Sequence, residues 1–146
     1  MARAHSPVRL EPAAEAWSLM TELFQAHGRP RLSAVAAEFE LSPPQAMALL
    51  RLDPGEGMPM RRLACALHCD NSNVTGIVDR LEDRGLVERR ADPADRRVKR
   101  LVLTPEGAAL HEALRTRLVQ PPEPLQQLSA GEQRVLRDLM RRALGR

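Results

Sequence analysis

Apolar residues recur along most of this chain at spacings of three and four, the period of a helix that buries one face. Ala13, Ala16, Trp17, Met20, Leu23 and Phe24 form the first stripe, in a helix expected from about Leu10 to His27. Gly28 and Pro30 are expected to stop it before Leu32, Val35, Ala36 and Phe39 resume helical spacing in a short second helix. Ser42-Pro43-Pro44-Gln45 reads as an N-cap, two early prolines and a capping-box glutamine. It opens a helix through Ala46, Met47, Leu49 and Leu50 that ends before Asp53-Pro54-Gly55. Met58-Pro59-Met60 should be extended, because a residue before proline is pushed out of helical geometry.

Leu63, Ala64 and Leu67 then line a short helix, His68-Cys69 makes a turn, and Asp70 is placed to cap the next helix. In that helix Val74, Ile77, Val78 and Leu81 fall at i, i+3, i+4 and i+7, a one-sided core stripe, and Gly85 suits the left-handed position that ends it. The period then changes. Leu86 to Arg90 and Val98 to Leu103 read as two strands of a hairpin around a loop rich in Asp and Arg. Thr104 and Pro105 start another helix, which Pro121, Pro122 and Pro124 break, and Ser129 to Glu132 is a second capping box. The last helix carries Val135, Leu136, Leu139, Met140 and Leu144.

The implied fold is mainly α with a small β-hairpin wing. Residues 42–104 make a winged helix-turn-helix lobe inside a single domain spanning 1–146. The outer helices, in 10–40 and 105–146, lie too far along the chain to pack wholly into that lobe. Their apolar faces are expected to be buried in a homodimer.

Composition agrees with helices. Aromatic residues are only 2% of the chain, so the core must be aliphatic. The two cysteines cannot form a disulfide framework, and no charged-then-apolar leader or long apolar run appears, so a cytoplasmic protein without a membrane partner is expected. The net charge is only +3, but its distribution is uneven. Between Arg84 and Arg100 there are seven basic residues against three acidic ones, more positive charge than the whole chain carries net.

That basic stretch follows a helix with a polar outer face. With Val74, Ile77, Val78 and Leu81 inward, Ser72, Thr75, Gly76 and Asp79 point outward, flanked by Asn73 and Arg80. Short hydrogen-bonding side chains near a helix N-terminus suit the reading of base edges in a major groove. Gly76 costs about 1 kcal/mol against alanine inside a helix; close approach of backbone to DNA would explain it, and simple tolerance is the alternative. At the wing tip, Arg96 and Arg97 suit a narrow minor groove, while Asp95 is assigned to bracing an arginine or closing the turn.

The run from Asp70 to Gly107 resembles the MarR family of bacterial transcriptional regulators. The pattern D-x-R-x-x-x-L-x-L-T is met by Asp95, Arg97, Leu101, Leu103 and Thr104, and the helix order extends the likeness over nearly all of the chain. The resemblance implies an obligate homodimer with interlocked terminal helices and two winged lobes on a near-palindromic operator in double-stranded DNA. It implies that Asn71, Ser72, Asn73, Thr75 and Gly76 stand at base- and backbone-contacting positions, Arg80 at a phosphate contact, and Arg96 and Arg97 at the wing tip. Gly76 departs from the arginine often found there, and His68 stands where glycine is common. Two-fold symmetry further implies half-sites about 10 base pairs apart.

A regulator of this kind often takes a small-molecule effector between the terminal helices and the lobe. Trp17, Met20, Phe24, His27 and Met47 are the candidate lining, with Trp17, Met20 and Phe24 alternatively part of the dimer core. Cys65, His68 and Cys69 are too crowded for separated zinc pairs, and both cysteines take positions expected to be small and apolar, so they read as structural, with no metal or other cofactor expected. No phosphate-binding glycine loop or catalytic triad is visible, which argues against an enzyme. The expected function is an operator-binding repressor; the alternative is a winged-helix protein-interaction module without operator-specific DNA binding.

Overall fold

The computed structural model describes residues 11–95 and 98–146, with Asn71 described in its backbone only. Helix α1 (Pro12–Leu23) runs through a π turn (Phe24–Gly28) directly into α2 (Arg29–Glu38). Gly28 and Pro30 therefore do not stop the helix, as the sequence led us to expect. Pro30 lacks an amide hydrogen and its ring would crowd the preceding turn, and a wider turn at this point accommodates both defects without ending the rod. A Cβ on Gly28 would lie 2.5 Å from the Phe24 ring.

Helix α3 (Pro43–Arg51) opens on the expected capping box, with Gln45 and Ser42 bonding each other's backbone amides. The extended pair Met58–Pro59 is strand β1 and leads into α4 (Met60–Leu67) and α5 (Asn71–Asp83). His68, between those two helices, sits in the left-handed region at φ 51. Helix α5 ends on Gly85 at φ 68, with Leu86 N–H bonded to Leu81 O and Gly85 N–H to Glu82 O. This paired closure leaves two carbonyls of the last turn satisfied.

Strands β2 (Val87–Ala91) and β3 (Lys99–Leu103) pair antiparallel from Val87 opposite Leu103 to Ala91 opposite Lys99. Met58 pairs with Leu101, so β1 adds a third strand and the order is β1-β3-β2. Helix α6 (Pro105–Val119) follows, capped by Thr104, then a short α7 (Glu123–Gln126) within the proline-rich stretch, and α8 (Ala130–Ala143) on the Ser129–Glu132 capping box.

The core lies inside the lobe. Leu49, Leu63, Val74, Val78, Leu81, Leu101 and Leu114 have no exposed surface, joining α3, α4, α5, β3 and α6. His111 is also buried and its Nδ1 lies 3.0 Å from the Leu49 carbonyl, so the ring donates there and ties α6 to α3. By contrast, α1 and α8 contain no buried residue. Trp17 is 69% exposed, Phe24 62% and Leu144 68%. Large apolar side chains are thus left at the surface of both terminal helices and the segments that continue them. No described helix is long and apolar enough to cross a membrane.

Candidate nucleic-acid interface

The inward stripe of α5 packs as its spacing predicts: Val74, Val78 and Leu81 are fully buried and Ile77 partly so. This fixes which face points out. Ser72, Asn73, Thr75, Gly76 and Arg80 are all exposed on it. Asp70 holds N-cap geometry without a side-chain cap bond, so nothing from that carboxylate bonds across the helix start. Nothing in the described chain lies within 4 Å of a Cβ placed on Gly76. Internal packing therefore gives no reason for that glycine, and its missing side chain leaves the outer surface of α5 open.

Ser72, Asn73, Gly76 and Arg80 border one open groove of about 420 Å³ with Ser42, Pro44 and Gln45 at the start of α3. The groove is thus walled by α5 and the start of α3, two helices that pack against each other. The side chain of Asn71, and both Arg96 and Arg97, lie outside the described residues. Asp95 is described; its carbonyl accepts the Val98 N–H at 2.9 Å, which helps close the wing loop.

The basic stretch is used mostly within the protein, which its charge alone did not reveal. Arg89, on β2, bonds Asp79 Oδ1 at 2.5 Å and also ion-pairs with Glu82, while its backbone N–H donates to Glu82 Oε1 at 3.2 Å. Its guanidinium pKa is raised, first by the hydrogen bond to Asp79 and then by the charge of Glu82. Arg84 donates to the carbonyls of Glu40 and Phe39 at 2.7 and 3.2 Å, closing the C-terminus of α2. Arg100 reaches Gly57 O and, at 3.4 Å, Asp92; Arg90 pairs with Glu88. Asp92 is a further turn residue, its Oδ1 accepting the Ala94 N–H at 2.8 Å. Sequence reasoning missed the partners of Arg84, Arg89 and Arg100 because those pairings cross from one element to another.

The Arg89 clamp has a geometric result. It ties the wing to the outer side of α5, so the helix and the hairpin present adjoining surfaces. Asp79, expected among the outward polar residues, is engaged in this clamp.

A second site lies behind the lobe. Met20, Leu23, Phe24, His27, Leu32, Met47, Leu50, Leu118 and Met140 line a mainly apolar cavity of about 540 Å³. Trp17, grouped with this lining on sequence grounds, is not part of it: it points to solvent from α1. The π turn sets this wall, since Phe24, His27 and Gly28 all border the cavity. Arg31 adds a cation. Its Nη2 donates to Arg117 O at 2.6 Å, while its buried Nε has no partner among the described residues.

Cys65 and Cys69, read from their positions in the motif as structural, are both exposed. The helix faces turn them outward: Leu63 and Ala64 take the core side of α4, leaving Cys65 next along the rim.

The family model described as "MarR family" matches residues 41–99. The transcriptional repressor MprA of Escherichia coli is 43% identical over 79 residues, 53% of this chain and 42% of that protein, so the chain spans less than half of that relative's length. Wild-type MarR from E. coli in its apo form superposes with a TM-score of 0.75 at 26% identity, covering 88% of this chain and 96% of that one. The transcriptional repressor CouR, solved bound to a 23-mer DNA duplex, gives a TM-score of 0.62 at 26% identity over 93% of both chains.

Proposed function

Since the chain belongs to the MarR family of transcriptional regulators, we propose that it is an operator-binding repressor that acts as a homodimer. The observation that carries this reading is the outer face of α5. Ser72, Asn73, Thr75 and Arg80 are exposed around an unobstructed Gly76, on a helix clamped to a β-hairpin wing by Arg89. In the proposed complex this face enters the major groove, Ser72, Asn73 and Thr75 meet base edges, and Arg80 meets a phosphate. Asn71 joins the reading edge. Arg96 and Arg97 reach the adjacent minor groove from the wing, with Asp95 holding the loop. That CouR was solved on a DNA duplex supports the assignment.

The dimer is supported by the exposed apolar faces of α1 and α8, including Trp17, Phe24, Leu139 and Leu144. A small amphipathic effector in the cavity between the terminal helices and the lobe would couple to DNA binding, because the cavity wall includes α3, which also borders the reading groove. Met20, Phe24, His27 and Met47 line that cavity, and Arg31 brings an Nε that has no partner among the described residues.

Selection of bound duplexes from a random pool tests the proposal. It should recover two half-sites about 10 base pairs apart, centre to centre. Ser72→Ala or Thr75→Ala should change the recovered sequence, while Arg97→Ala should weaken all duplexes and make the salt dependence shallower. Equal losses on selected and random duplex would remove the base-reading role. Weak, salt-insensitive duplex binding beside a stable protein partner would favour a protein-interaction module instead.

A further inference from the structure

The two capping boxes of this chain differ in the residue that completes them. At the start of α8 that residue is Glu132, whose carboxylate accepts the Ser129 N–H at 2.8 Å. Glutamate is favoured in this position, because it takes the amide and also meets the positive end of the helix dipole. At the start of α3 the corresponding residue is the neutral Gln45. Its Oε1 accepts the Ser42 N–H at 2.8 Å, and this contact fixes the amide, since an N–H must face the oxygen. Nε2, with its two N–H donors, is therefore turned away from the cap, and it has no hydrogen-bond partner among the described residues. Gln45 is only 8% exposed, and it borders the groove between the start of α3 and the outer face of α5. Among the described residues none that borders this groove is acidic, and Arg80 brings a guanidinium to it from α5.

We propose that Gln45 is a DNA-contacting residue whose Nε2 donates to a backbone phosphate seated between α3 and α5, beside Arg80. This deepens the operator-binding reading above and rests on it. A phosphate oxygen accepts hydrogen bonds and carries negative charge, so it suits an amide N–H beside a guanidinium and is repelled by a carboxylate. With glutamate in place of Gln45, one carboxylate oxygen would hold the cap and the other would stand where Nε2 now is, facing the phosphate. The choice of glutamine at α3 and glutamate at α8 then has one explanation: the α3 cap lies against DNA. The contact is also inexpensive to form. A buried side chain already held by its cap has little rotamer freedom left to lose on binding, and a donor without an internal partner breaks no protein bond to make this one. Being made to the backbone, it reads no base; it sets how α5 sits on the duplex.

The test uses the full chain, Gln45→Glu, the duplex recovered by selection, and that duplex carrying a single neutral methylphosphonate at each backbone position in turn. Because glutamate also caps, Gln45→Glu should keep the wild-type Tm or raise it. Its affinity should fall about tenfold or more, the worth of a hydrogen bond to a charged group, on selected and random duplex alike. One methylphosphonate in each half-site should weaken wild type yet restore part of the affinity of Gln45→Glu, since it removes the charge that the carboxylate repels. Arg80→Ala should be less sensitive than wild type to that same methylphosphonate. Undiminished affinity in Gln45→Glu, a lowered Tm, or a loss that no single methylphosphonate relieves overturns the proposal. A changed half-site sequence on reselection does so too, because Gln45 would then read a base. Wild-type protein that binds no duplex overturns the operator-binding reading itself, and this contact falls with it.

Discussion

Replacing Gly107 by alanine separates two physical effects of opposite sign. Gly107 lies in the first turn of α6, and helix propensity alone predicts that alanine stabilises the protein by about 1 kcal/mol. The structure predicts the reverse. A Cβ on Gly107 would stand 1.8 Å from the Leu86 carbonyl oxygen and 2.8 Å from its carbon, so backbone must move. That carbonyl cannot yield freely: it accepts the Thr104 N–H at 3.2 Å, and Thr104 Oγ1 donates to Gly85 O at 2.6 Å. Relieving the overlap strains the junction of α5, the wing and α6. Overpacking costs about 1–3 kcal/mol, a clash with backbone belongs at the upper end, and a weakened hydrogen bond adds about 1 kcal/mol. After the propensity gain, Gly107→Ala should lose about 2–3 kcal/mol, or about 5–10 °C in Tm for a chain of this size. Urea unfolding followed by far-ultraviolet circular dichroism, with wild type and variant at equal protein concentration, measures it. A variant as stable as wild type, or more so, would refute the packing argument and leave propensity in charge.

The same substitution at Gly76 should behave oppositely in stability, because its Cβ meets open space: Gly76→Ala gains up to about 1 kcal/mol yet weakens binding to the selected duplex, and unchanged affinity would remove the close-approach explanation. His68→Gly should stabilise by about 1 kcal/mol by relieving a left-handed non-glycine residue, read as a shift in urea midpoint at constant slope. Arg89→Ala should cost about 1 kcal/mol, discounted for partial exposure, and also reduce DNA affinity measured by fluorescence anisotropy, since the wing loses its tie to α5. The Glu132 carboxyl is held below the ordinary carboxylate range, first by the Ser129 hydroxyl and then by the Ser129 backbone N–H. Its contribution to the α8 cap is therefore present above the unfolded value of about 4.3 and lost as pH falls through the lower folded value. An NMR titration of Glu132 should move up toward the ordinary value in Ser129→Ala; an identical titration curve would show that the cap does not hold the proton off.

What sequence reasoning recovered best is local in origin. The capping boxes at Ser42 and Ser129, the Thr104 cap and the Gly85 terminus involve atoms within a few residues of one another, so composition and spacing specify them. The stripe Val74, Val78 and Leu81 follows from helix period alone, and with it the outward direction of Ser72, Thr75 and Arg80. The break expected at Gly28 and Pro30 failed because residue preference is weak beside the option of a single wide turn.

By itself, then, the sequence determined the order of the main elements, the caps at Ser42, Thr104 and Ser129 and the buried face of α5, because these depend on backbone hydrogen bonding and period. Only the tertiary structure decided which charges are available. Arg84, Arg89 and Arg100 are spent on α2, α5 and the loop before β1, through partners between 7 and 45 residues away. Likewise, two glycines in helices proved to have opposite meanings, Gly107 pressed against the Leu86 carbonyl and Gly76 facing open space. A sequence records the residue, whereas the atoms that a new Cβ or a guanidinium would meet come from elements brought together by the core.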